Sequence, residues 1–147
     1  MKRSFVVISI MISIFVVSII IDSNEYKEDN KYYKEVNLKL KGKITEVKPL
    51  TYEQNLGIIV IEITESNIQN YDERKSLKRY LGVIKNNKAN LVFNSISSVK
   101  KGDSIVLNIQ NYKLYRNGKL IEENVIRMPP KSFIFTPFKE INTLIDL

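Results

Sequence analysis

The sequence predicts an all-β domain, a small antiparallel barrel or sandwich, behind an N-terminal transmembrane helix and ahead of a short C-terminal helix. Three observations carry this. The stretch Ser4–Ile21, SFVVISIMISIFVVSIII, holds no charge, no Pro and no Gly. Apolar and polar residues alternate from Val36 to Thr45, and Ile105, Leu107 and Ile109 alternate with Val106, Asn108 and Gln110, the period of a half-buried strand. Turn-forming residues, Asn86-Asn87-Lys88 and Asn117-Gly118, punctuate the second half of the chain where hairpins require them.

At about 1.5 Å per residue, the roughly eighteen residues of the apolar stretch reach about 27 Å, enough to cross the hydrocarbon core of a bilayer. Its Ile and Val content would favour a strand in water. In lipid the backbone must satisfy its own hydrogen bonds, so helix is expected. Lys2 and Arg3 precede the stretch and Asp22 ends it, which keeps the N-terminus cytoplasmic and sends the rest across. The alternative is a cleaved signal peptide. The MKR start fits one, but the apolar core exceeds about 15 residues and no A-x-A site follows. Ile21-Asp22-Ser23 is a poor cleavage site, and without Cys there is no lipobox. A buried helix of a soluble protein is the third option. The expected division is residues 1–22 as anchor, 23–35 as a polar linker and 36–147 as an extracytoplasmic β domain.

About 110 residues beyond the linker suffice for one modest core. The formal charge is +7, from 23 Lys+Arg against 16 Asp+Glu. Lys outnumbers Arg and alternates with acids along most of the chain, which points to solvated faces rather than a nucleic-acid patch. No Cys means no disulfide, and no His removes His-ligated metals, Ser-His and Cys-His catalysis and the commonest general base.

Tyr26, Tyr32 and Tyr33 in the linker suit a headgroup interface. In the first strand, Val36, Leu38, Leu40, Gly42 and Ile44 face inward and Lys39, Lys41 and Lys43 outward. Gly42 marks a bulge or bend, and the lysine face suggests a protected edge. Gly57–Thr64, GIIVIEIT, is apolar on both faces and reads as a covered central strand. Tyr71–Leu81 is expected as a short helix capped by Asn70 and stopped by Gly82. Strands at 80–85 and 89–93 form the first hairpin. A Val99–Asp103 turn leads into a strand expected to run from Ile105 through Leu114 and Tyr115. Asn117-Gly118 then turns it back through Lys119–Ile126. After Met128-Pro129-Pro130, Ser132–Thr136 reads as an edge strand. Thr136-Pro137 opens a short helix with Phe138, Ile141, Leu144 and Ile145 on one face. The predicted core contains Leu38, Leu40, Ile44, Ile61, Ile105 and Leu107. A strand bent at a glycine, a buried strand and later hairpins are compatible with an OB-like barrel.

No motif assigns chemistry. Gly102-Asp103-Ser104-Ile105 has the letters of a serine-esterase GDS signature, but that chemistry needs a His base, and a Gly-Asp turn entering a strand explains it better. Ser98/Lys101 and Ser97/Lys100 have S-x-x-K spacing, and a Ser-Lys dyad works without His. Membrane-anchored signal peptidases use such a dyad, but their serine box behind the anchor is missing here. Glu122-Glu123 and Asp72-Glu73 read as solvated surface, since neighbouring strand residues point to opposite faces. Tyr80, Tyr112 and Tyr115 with Lys78, Arg79, Lys113 and Arg116 could form a base-stacking face; cross-strand Tyr packing is the plainer explanation. No catalytic, cofactor-binding or metal-ligating residue is assigned, and no cofactor is expected.

The basic start, the single apolar segment, the early strand LKGKITEV and the late turn KKGDSI together resemble uncharacterised small signal-anchored bacterial envelope proteins with a β-rich domain. The resemblance covers about a third of the chain and implies no activity. The expected function is therefore non-enzymatic. The chain reads as a single-pass membrane protein whose β domain binds or scaffolds at the cell envelope, with the lipid bilayer and an unidentified envelope protein as partners. The alternatives are a secreted β domain after signal cleavage, an OB-like nucleic-acid binder and a Ser-Lys hydrolase.

Overall fold

A computed structural model describes residues 2–50, 55–72 and 82–126. The chain divides into two compact units, residues 1–36 and 37–147. The first is one helix, α1, Lys2–Val36, 35 residues long. Among the described residues no helix is long and apolar enough to cross a membrane. The side chains at 4–7, 9 and 18, which belong to the apolar stretch, are outside the described ones. The polar segment 23–35, expected as a linker, is helical. Extending an existing helix adds one hydrogen bond per residue without a new nucleus. Lys31 and Glu35, one turn apart, approach to 3.8 Å, and Lys34 lies in the last turn, where a cation suits the helix dipole. Asn37, at φ 47°, stops the helix in the left-handed conformation that Asn tolerates.

Among the described residues the second unit is an eight-stranded antiparallel sheet. Its strands are β1 Lys39–Pro49, β2 Gly57–Ser66, β3 Tyr71–Asp72, β4 Gly82–Lys85, β5 Lys88–Phe93, β6 Ser104–Asn108, β7 Asn111–Arg116 and β8 Lys119–Val125. Their order is β3-β4-β5-β2-β1-β6-β7-β8. Among the described residues the sheet is open: of the expected barrel or sandwich, a closed barrel does not form there. It is strongly curled instead. Phe93 in β5 and Tyr112 in β7 are separated by β2, β1 and β6, a span of about 19 Å in a flat sheet. Their ring centroids are 4.6 Å apart. Bulges in β1 at Lys41/Gly42 and Ile44/Glu46 produce part of this curvature. At Gly42 a Cβ would collide with the Glu62 carbonyl and the Ile61 side chain, so the glycine expected to bend the strand does so by admitting β2 at close range.

Strand β1 lies mid-sheet between β2 and β6, not at an edge. Its lysine face is solvated rather than protective, and Lys41 pairs with Glu65 on β2 at 2.8 Å. The alternation places Leu38, Leu40 and Ile44 in the core with Ile61, Ile105 and Leu107, all six as expected. Strand β2 is buried on both faces over Gly57–Ile61. Its Ile58 packs in a second cluster with Leu50, Leu56, Val83 and Val92.

Two hairpins follow the sequence closely. Asn86 and Asn87 turn at φ 52° and 60°, and Asn117 and Gly118 at φ 51° and 77°, the paired positive angles of type I′ turns. A third hairpin was not expected. The predicted continuous strand from Ile105 to Tyr115 breaks at Ile109-Gln110, and β6 and β7 pair with each other across that turn. Ile109 adopts φ 62°, costly for a β-branched residue. Tertiary hydrogen bonds hold it: Ile109 N–H donates to the Leu38 carbonyl, and Ile126 N–H to the Gln110 carbonyl, both at 2.7 Å. Tyr71–Asp72 is a short strand where the start of a helix was expected, and the rest of that helix lies outside the described residues. So do the edge strand at 132–136 and the C-terminal helix.

Candidate functional site

Two places concentrate features that a function could use: the apolar half of α1 and a polar corner of the sheet. In α1, Ile8, Ile10, Met11, Ile12, Ile14, Phe15, Val16, Val17, Ile19, Ile20 and Ile21 are each 46–66% exposed. Successive helical residues point about 100° apart, so consecutive exposed positions such as Ile10-Met11-Ile12 and Phe15-Val16-Val17 wrap the helix. A helix that is apolar all round belongs in a protein core or in a membrane.

The polar corner is built on the turn at 99–103, where Gly102 takes φ 96°. Asp103, 2% exposed, accepts from Arg116 Nε and Nη2 and from the Lys100 N–H, each at 2.8 Å. Arg116 Nη2 also donates to the Ser98 carbonyl at 3.0 Å. The Arg116 guanidinium, helped by the Lys100 amide and amine, holds the Asp103 carboxyl below the usual carboxylate range against the opposing effect of burial. The ion pair ties the turn before β6 to the end of β7.

Beside it, Glu122 of β8 accepts from the Ser95 hydroxyl at 3.0 Å and from the Tyr112 hydroxyl. Burial works against the Glu122 charge. Hydrogen bonding, with the Tyr112 and Ser95 hydroxyls among the donors, outweighs it and keeps the carboxyl below its ordinary value. Tyr112 is shifted upward, by burial first and then by the Glu122 carboxylate. Since Ser95 follows β5 and Glu122 lies on β8, this contact joins distant parts of the curled sheet.

The arrangement favours holding over proton transfer. A carboxylate surrounded by donors and depressed in pKa is a weak base. The S-x-x-K serines point elsewhere: Ser97 donates to Asn55 Oδ1 at 2.8 Å and Ser98 to the Ser95 carbonyl at 2.9 Å. The Gly102-Asp103-Ser104 run is the expected turn into a strand, with Asp103 occupied by Arg116. The expected surface role of Glu122-Glu123 is half corrected. Glu123 is exposed and pairs with Lys113 at 3.2 Å, whereas Glu122 faces the polar corner. The expected aromatic-basic face is described only in part. Tyr112 is fully buried, Arg116 serves Asp103, and Lys78, Arg79 and Tyr80 lie outside the described residues.

An open groove over β2, β1 and β6 is lined by Lys39, Lys41, Glu65, Asn67, Val106 and Asn108 among others. Some of its polar groups are held within the chain, among them the Lys41–Glu65 pair. Asn67 accepts from the Lys39 N–H at 2.7 Å and donates to the Asn37 carbonyl at 2.8 Å. Among the described residues no group of three or more His, Cys, Asp or Glu side chains could hold a metal. The sequence contained no local signal for the Ser95–Glu122–Tyr112 contact, because its members come from three separate segments. In comparisons with known proteins, the chain matches no family model, no curated protein and no solved structure.

Proposed function

We propose that this is a single-pass membrane-anchored protein whose small, non-enzymatic β domain binds or scaffolds at the bacterial cell envelope. The observation that carries it is the apolar surface exposed on every side of α1 from Ile8 to Ile21. In water such a surface favours aggregation, and a bilayer is the environment that removes it from water without a protein partner. The uncharged run Ser4–Ile21 has the length for one crossing. Lys2 and Arg3 orient the N-terminus to the cytoplasm. Helix α1 also continues unbroken through Asp22 and Ser23, so the one candidate cleavage position lies within a helix, which supports retention over secretion. The bilayer and an envelope protein are the proposed partners.

The test is fractionation of a C-terminally tagged protein with an alkaline carbonate wash. Full-length protein in the pellet, tagged end accessible only from outside the cytoplasm, is expected. Ile12→Arg, near the midpoint, should weaken insertion by about 3 kcal/mol on the translocon scale. Release of a shorter soluble chain beginning near Asn24 would replace the anchor with a signal peptide.

A further inference from the structure

We infer that residues 22–36 act as a rigid helical spacer that stands out of the membrane, rather than as a flexible tether. The inference rests on the anchored reading above and adds to it the geometry of the polar half of α1. The helix is continuous from the apolar stretch to Val36. The roughly fifteen residues beyond Ile21 rise about 22 Å along its axis. A headgroup layer is about 5–7 Å deep on each side of the hydrocarbon core, so the chain leaves the helix about 15 Å above the headgroups. A tilt of about 20° shortens this by only about 6%.

Three features support a helix that persists there. It extends from an already formed helix and needs no nucleus. Lys31 and Glu35 pair across one turn at 3.8 Å. Asn37 ends the helix in the left-handed conformation at φ 47°, a defined stop rather than a frayed end. Several exposed side chains match the zones they would cross. Tyr26, 67% exposed, lies about 7 Å past Ile21, in the headgroup layer that Tyr favours. Lys27, Lys31 and Lys34 follow as exposed, charged positions suited to water. A flexible tether would leave the height of the attached domain to thermal motion; a helix fixes where its chain begins.

The chain has no Cys, so Lys27→Cys and Lys34→Cys each take one fluorophore without background. The full-length variants are placed in phosphatidylcholine vesicles containing an acceptor on the lipid headgroup, and energy transfer reads the height of each label. The label at 34 should stand farther from the headgroups than the label at 27 by about 10 Å, two helical turns. Adding Asn30→Pro, which breaks the helix between them, should abolish most of that difference. Equal transfer from both positions would overturn the spacer while leaving the anchor intact. A difference that survives Asn30→Pro would also overturn it, because the height would not come from the helix. Absence of transfer at both positions, with protein left in the supernatant, would overturn the anchor and the spacer together.

Discussion

Leu40→Ala tests whether the alternation in β1 sets the core. Leu40 is 2% exposed, between the exposed Lys39 and Lys41, and stands opposite Leu107 of β6 and Ser66 of β2. The substitution removes about three carbons, worth about 2.4 kcal/mol at ~0.8 kcal/mol each. A residual void of about 50 Å³ adds about 1.2 kcal/mol at ~24 cal/mol per Å³. The total is about 3.6 kcal/mol, and since β1 is hydrogen-bonded on both sides, the site collapses little. For a domain of about 110 residues this lowers Tm by about 14 °C, at ~4 °C per kcal/mol. The assay is thermal unfolding of the full chain in detergent micelles, followed by near-UV circular dichroism. Lys41→Ala is the control. It removes an ion pair to Glu65 whose side chains are 52% and 68% exposed, worth under about 1 kcal/mol. If Leu40→Ala destabilised no more than Lys41→Ala, β1 would be slipped by one residue, which exchanges its faces.

Gly118→Val should destabilise by about 1–2 kcal/mol, and by backbone strain alone, since φ is +77° and a Cβ there meets nothing within 4 Å; an unchanged Tm would contradict the type I′ turn. Tyr112→Phe should cost about 1.5–3 kcal/mol, the range for a hydrogen bond to a charged group, with Glu122 losing one of its donors; urea unfolding measures it. The Asp103 and Glu122 carboxyls are both lowered in the folded state. Their contribution is present above the unfolded values of about 3.9 and 4.3 and is lost as pH falls through the lower folded values. Asp103→Asn with Glu122→Gln should therefore flatten Tm against pH below about pH 4, and a curve parallel to the wild type would reject their role.

Much of the sheet was legible because its signals are local. In β1, one solvated face forces apolar and polar residues into period two, so Leu38, Leu40 and Ile44 could be assigned to the core before any pairing was known. Asn86-Asn87 and Asn117-Gly118 announce their turns because Asn and Gly tolerate positive φ. The hairpin at Ile109-Gln110 was not legible. Ile is a strand residue by local preference, and the turn is held by hydrogen bonds from Ile109 to Leu38 and from Ile126 to Gln110, both partners distant in sequence. Residues 23–35 read as an irregular linker for a related reason: they lack an apolar stripe, and their helicity is inherited from the helix before them. Glu122 looked like ordinary surface because Ser95, which follows β5, reaches it only once the sheet has curled.

By itself the sequence determined most strand faces, two hairpin turns, the exclusion of His- and Cys-based chemistry and an uncharged apolar run near the N-terminus. Each follows from side-chain type and spacing within a few residues. Only the tertiary structure decided that β1 lies mid-sheet, that the sheet curls without closing, and that Asp103–Arg116 and Ser95–Glu122–Tyr112 stitch its corner. Strand order and curvature depend on contacts between distant segments and on the space available at Gly42. Local preference is blind to both.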